Sequence, residues 1–171
     1  MEIEHVADAV RLGESDLRHL RRCIDLAAEA VAAGDHPFGS VLVAADGTVL
    51  AEDRNRVVTA GDQLAHPEIA LARWAQEHLE PDARAAATVY TSGEHCPMCA
   101  VGHALVGLGR IVVASTSSQL SGWLAEMSVA PAVFRPLPIT TVAPGVSVIG
   151  PVPELEEQVR ALHRRAAGLS D

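Results

Sequence analysis

Two short segments, thirty residues apart, carry the side chains best suited to chemistry: His66-Pro67-Glu68 and Cys96-Pro97-Met98-Cys99. In each, a proline follows the first reactive residue. Proline is favoured at the first position of a helix, where its missing N–H costs nothing. Each segment is therefore expected to open a helix, with His66 and Cys96 as the N-caps. Two helix N-termini side by side would present His66, Cys96 and Cys99 together. Cysteines three apart share a helix face, and a thiolate there is stabilised by the helix dipole and by unpaired N–H groups. One neutral imidazole and two thiolates make three zinc ligands and leave a fourth position open, as in a catalytic site. Glu68 stands two residues from His66 and does not share its face. It is expected to point past the metal, where a carboxylate suits carrying a water proton to a leaving group. Two other uses of these residues are open. A structural zinc, with His95 or His103 as fourth ligand, needs the same three residues but gives Glu68 no task. A redox C-x-x-C pair gives His66 and Glu68 none.

The pairing of H-x-E with C-x-x-C resembles the cytidine-deaminase-like zinc aminohydrolases, and is most similar to the branch holding guanine, cytosine and tRNA adenosine deaminases. The likeness runs past the zinc motif, over about residues 15–115. His36-Pro37-Phe38-Gly39 resembles that branch's P-[FV]-G entry into the first strand. The stretch DQLAHPE at 62–68 resembles D-P-T-A-H-A-E, and EHCPMC at 94–99 resembles E-P-C-P-M-C. Pro67 stands where the family has Ala, and His95 where it has Pro. The resemblance implies a three-layer α/β/α sandwich with a mixed, roughly five-stranded sheet, one zinc ion per chain and a homodimer. It implies hydrolytic deamination of an amino-substituted ring: a guanine-type base, cytosine or an amino-triazine. Glu68 is then the catalytic proton carrier, and His66, Cys96 and Cys99 are the zinc ligands. Asn55, Phe38, Gly39, Glu94, His95 and Trp123 are expected to contact substrate, with His95 tuning the choice of ring. A nucleoside or tRNA adenosine is the alternative substrate. A zinc-stabilised binding protein without turnover is the alternative class.

The rest of the chain must position these residues. Its 171 residues suit one domain over 1–171, large enough to build a full core without staples. All 13 basic residues are Arg, and the net charge is −9, which offers no footprint for a nucleic-acid backbone. Aromatics make up 3%, so there is no stacking platform for single strands. Three cysteines form no disulfide framework. No apolar run reaches the ~18 residues needed to span a bilayer. The acidic start MEIEHVADAV lacks the features of a signal peptide, so a cytoplasmic location is expected.

After a polar lead-in over 1–13, Ser15 is expected to cap a helix that ends at Gly34. Its apolar positions Leu17, Leu20, Ile24, Ala27 and Val31 recur at threes and fours, and Cys23 beside them reads as a buried thiol. A hairpin of strands 39–44 and 48–54 turns at Asp46-Gly47. A loop over 55–65, a helix from His66 to about His78, a strand over 86–91, a helix over 96–108 and a strand over 111–115 follow. Residues 116–137 show no clear pattern. A last strand is expected over 140–149, broken at Pro144-Gly145, and then an amphipathic helix over 153–168. Strands alternating with helices give a sheet covered on both faces.

Overall fold

The computed structural model describes residues 12–169; most of the expected lead-in lies outside them. In chain order the elements are α1 (Glu14–Ala33), β1 (Gly39–Val43), β2 (Val49–Arg54), α2 (Val57–Ala60), α3 (Pro67–His78), α4 (Pro81–Ala86), β3 (Thr88–Thr91), α5 (Pro97–Val106), β4 (Ile111–Val113), α6 (Ser117–Glu126), α7 (Ile139–Val142), β5 (Val148–Ile149), a turn of 3₁₀ helix (Pro153–Leu155) and α8 (Glu156–Ala166). The five strands lie in the order β2-β1-β3-β4-β5. β1 runs antiparallel to both neighbours, whereas β3, β4 and β5 are parallel to one another.

Alternation along the strands divides the core in two. On one face Val41, Val43, Tyr90 and Val112 pack with Leu20, Ile24 and Ala27 of α1, Trp123 of α6 and Val159 and Leu162 of α8. On the other, Leu42 and Val89 meet Leu71 and Ala75 of α3, and Ile111 and Val113 meet Ala100 of α5 and Ile139 of α7. This is the expected α/β/α arrangement. β1 is buried along its whole length, as a strand covered on both faces must be. Its first residue, Gly39, lies so close to α1 that a Cβ would meet the Cys23 carbonyl and stand 2.5 Å from Leu26 Cβ. Only glycine lets the helix and the strand approach there.

Three expectations are corrected. Helix α1 starts at Glu14 with Gly13 as its cap, because the Asp16 carboxylate accepts the Gly13 N–H at 2.8 Å; Ser15 lies inside the first turn. The segment expected as a strand over 140–149 is the short α7, opened by Pro138, followed by a strand of only two residues. Proline fixes φ near −65° and starts a helical turn readily, and Pro144-Gly145 then breaks the chain before β5. The strand expected over 86–91 begins at Thr88, because Pro81 opens α4 just before it.

Candidate active site

β2 and β3 end, and β1 begins, at one end of the sheet. The segments that follow or precede them there carry the reactive residues. His66 caps α3 with extended backbone (φ −88°, ψ 139°), and Pro67 occupies the first helical position. Cys96 caps α5 in the same way (φ −64°, ψ 164°), with Pro97 next. The His66 side chain makes no bond to the N–H groups of its own helix, and the Cys99 backbone N–H of α5 helps hold the Cys96 sulfur. α3 and α5 pack side by side.

His66 Nδ1 lies 3.7 Å from Cys96 Sγ and 3.5 Å from Cys99 Sγ, and the two sulfurs are 3.4 Å apart. A tetrahedral zinc with bonds of about 2.05 Å to nitrogen and 2.3 Å to sulfur would space them at roughly 3.6 Å (N···S) and 3.8 Å (S···S). The donor set therefore fits zinc with only small adjustment. His66, Cys96 and Cys99 are the one group of three or more such residues with converging ligand atoms among the described residues. His95 and His103 do not join them, so the four-ligand structural site is not built here.

The hydrogen bond from Cys99, with help from His66, draws the Cys96 thiol down to about 4. The hydrogen bond to Cys96, together with burial, keeps Cys99 protonated. The Cys96 thiolate in turn raises His66. Metal binding would exchange these protons for one cation.

Glu68 is only 7% exposed. Its Oε2 lies 3.7 Å from Cys99 Sγ, and its Oε1 lies 3.3 Å from Thr91 Oγ1. The Thr91 hydroxyl has one proton and a nearer acceptor, the Gly93 carbonyl at 2.9 Å. Burial outweighs its hydrogen bonds from its own backbone N–H and Thr91, and raises its pKa above the ordinary carboxylate value. A buried carboxylate beside a metal-ligating cysteine is suited to taking up a proton and releasing it again.

Asn55 follows β2 and is 1% exposed. Its backbone N–H donates to the Phe38 carbonyl at 2.9 Å, and its Oδ1 accepts the Val57 N–H at 3.0 Å. That bond fixes which way the amide faces. The next residue, Arg56, donates its N–H to the Ala65 carbonyl at 3.1 Å, which ties the Asn55 loop to the start of α3. Phe38 is half-buried, with its ring over Gly93, where a Cβ would stand 3.1 Å from the ring edge.

Four other residues expected to contact substrate are bonded or packed within the chain. Gly39 serves the approach of α1, and its N–H donates to Ser92 Oγ at 3.2 Å. Both Glu94 carboxylate oxygens are occupied: one accepts from Ser117 N and Oγ at 2.8 and 2.9 Å, the other from Ile139 N at 2.8 Å. Glu94 thus ties the loop before Cys96 to the starts of α6 and α7. His95 is 1% exposed, its ring edge-on to His103 at 5.4 Å, and its Nδ1 has no partner. Trp123 is 5% exposed and belongs to the core between α1 and α8. One participant had no obvious signal in the sequence. Asp35, between Gly34 and His36, is buried and bonded to residues about twenty positions away.

Comparison with known proteins agrees with this geometry. Residues 13–115 match the model of the cytidine and deoxycytidylate deaminase zinc-binding region. A guanine deaminase of Bacillus subtilis is 43% identical over 81 residues, covering 47% of this chain and 51% of that protein. A probable cytosine deaminase of Schizosaccharomyces pombe is 31% identical over 115 residues, covering 66% of this chain and 67% of the relative. The chain thus spans about half the length of the first relative and two thirds of the second. The structure of a guanine deaminase from Nitrosomonas europaea superposes with a TM-score of 0.70 over 93% of this chain and 87% of that one, at 22% identity, and shows the same fold. With the matched region spanning α1 to the end of β4 and enclosing every residue of the metal cluster, the chain belongs to the cytidine and deoxycytidylate deaminase zinc-binding family.

Proposed function

We propose that this protein is a zinc-dependent aminohydrolase that converts a ring amine of a free nucleobase or related heterocycle to a carbonyl, consuming water and releasing ammonia. One observation carries the reading: Glu68, a buried carboxylate, stands 3.7 Å from a cysteine of a three-ligand metal set. Structural zinc does not call for such a carboxylate. Zinc held by His66, Cys96 and Cys99 would supply Lewis acidity and bring the pKa of water toward ~7. Glu68 takes one proton of the attacking water and passes it to the ring nitrogen, then takes the second from the new hydroxyl and passes it to the amine, which leaves as ammonia as the carbonyl forms. Asn55 holds the edge of the ring through its amide N–H₂. Phe38, half-buried over Gly93, supplies an apolar wall beside it. The relatives named for guanine and cytosine support a base as substrate.

The net charge of −9 supports free bases over tRNA. Among the described residues no helix is long and apolar enough to cross a membrane, and a cytoplasmic location is part of this reading. So is a homodimer, supported by Val101 and Leu105 of α5, 43% and 81% exposed on one face. The described elements surround one sheet, which supports a single deaminase domain over 1–171. Ammonia release measured across guanine, cytosine, an amino-triazine, guanosine and tRNA tests the proposal. Release from a free base, with tRNA inert, is expected. Release from none of them would leave zinc-stabilised binding as the function, and turnover of a tRNA adenosine would overturn the substrate class.

A further inference from the structure

The connection between α1 and β1 holds a buried acid whose bonds converge on Asn55. Asp35 is 3% exposed. Its Oδ1 accepts the backbone N–H groups of Val58 and Thr59 at 2.9 and 2.8 Å. Its Oδ2 accepts Thr59 Oγ1 at 2.7 Å and Arg54 Nη1 at 2.8 Å. Arg54 Nη1 also donates to the Asn55 carbonyl at 2.9 Å. Asp35 thus acts on both sides of Asn55: on its carbonyl through Arg54, and on α2, which follows it.

α2 has only four residues, too few to be stable alone. Its first N–H groups have no partners within the helix. Asn55 Oδ1 takes that of Val57, and Asp35 takes those of Val58 and Thr59. The bond that caps the turn therefore also fixes the Asn55 amide. With Oδ1 engaged, the N–H₂ is the end presented outward. The four bonds hold the Asp35 carboxyl down at about 2 against the opposing effect of burial, so the acid stays ionised. A buried ion pair of this kind adds little net stability, but it sets geometry.

We propose that Asp35 is a positioning residue for substrate binding, which, through Arg54 and α2, orients the Asn55 amide so that its N–H₂ meets the ring edge. This rests on the reading of Asn55 as a substrate contact. Asp35 touches neither the metal ligands nor Glu68, so its loss should weaken binding and leave the chemical step intact. An interaction made equally in the bound and transition states appears in KM and not in kcat.

The test is steady-state kinetics of the zinc-loaded protein on guanine, with Asp35→Asn, Asn55→Ala and the double variant. Asp35→Asn keeps one acceptor oxygen and the side-chain shape, and so perturbs folding less than Asp35→Ala. Asp35→Asn should raise KM about threefold to tenfold, as for one misplaced neutral hydrogen bond, with kcat within twofold and zinc content unchanged. Asn55→Ala should raise KM at least as much. In the Asn55→Ala background Asp35→Asn should add nothing, because the two act in series. Guanine affinity of the Glu68→Gln protein, with and without Asp35→Asn, should shift by the same factor and needs no turnover. Unchanged KM in Asp35→Asn beside a raised KM in Asn55→Ala overturns the positioning role alone. A full additional loss in the double variant places Asp35's effect elsewhere and also overturns it. Unchanged KM and affinity in Asn55→Ala overturn the substrate contact, and the proposal with it.

Discussion

Replacing Glu68 by Gln separates proton transfer from everything else the site does. The side chain is 7% exposed and sits on the first turn of α3 beside Thr91 and Cys99. Glutamine fills the same volume, so no cavity opens and no core contact is lost. Its oxygen can still face Thr91 Oγ1, and its N–H₂ can face the Cys99 sulfur. Only the capacity to carry a proton disappears. A general acid–base group contributes about 10²–10⁴-fold. One group that works twice in a turnover belongs at the upper end, a barrier increase of ~5 kcal/mol at 1.36 kcal/mol per decade. Because Glu68 is not a ligand, zinc should remain at its full content. Glu68→Asp provides a graded control: it retracts the carboxylate by one carbon–carbon bond, about 1.5 Å. A misplacement of that size should cost on the order of 10²-fold in kcat. The assay is kcat for ammonia release at saturating base, with zinc determined on the same samples. A Glu68→Gln protein with full zinc and near-normal turnover would refute the assigned role.

Two further outcomes follow from the fold and one from the ligand set. Gly39→Ala places a methyl against the Cys23 carbonyl and Leu26 Cβ, so it should destabilise the protein by ~1–3 kcal/mol or more in denaturant unfolding. Burial, aided by the His36 charge, lowers the pKa of His163 to about 4, whereas an unfolded histidine titrates near 6.5. The unfolded chain therefore binds a proton that the folded chain refuses. Stability from this group is complete above about pH 6.5 and should decline by up to ~3 kcal/mol as the pH falls to about 4. His163→Phe, still packed between Phe38 and Trp123, should flatten that slope in unfolding curves at pH 7 and 4.5. His66→Ala and Cys96→Ala should each lose zinc on metal analysis, whereas Asn55→Ala should keep it.

The metal cluster was legible because its signals are local. A proline after His66 and another after Cys96 specify two helix starts, and the spacing of Cys96 and Cys99 puts both sulfurs on one face. The central strands were equally plain, because β1, β3 and β4 are short apolar runs buried on both faces. Less plain were elements held by distant partners. β5 has two residues and depends on pairing with β4, so its own sequence carries little strand signal. Glu94 and His95 adjoin a metal ligand in the chain, which suggested substrate contact. Their partners within the chain had no local signal: Glu94 reaches to Ser117 and Ile139, and His95 packs on His103. Asp35 shows the same limit from the other side. Its partners, Arg54, Val58 and Thr59, belong to a different segment, and no local pattern announces a buried cap made across such a distance.

The most direct measurement is zinc titration of the metal-free chain with ammonia release from guanine as the readout. Chelator-treated protein should be inactive while still folded. Activity should return in proportion to added zinc and saturate at one ion per chain, with Cys96→Ala failing to recover. A metal-free chain that still releases ammonia, or activity that saturates without zinc on His66, Cys96 and Cys99, would contradict the account.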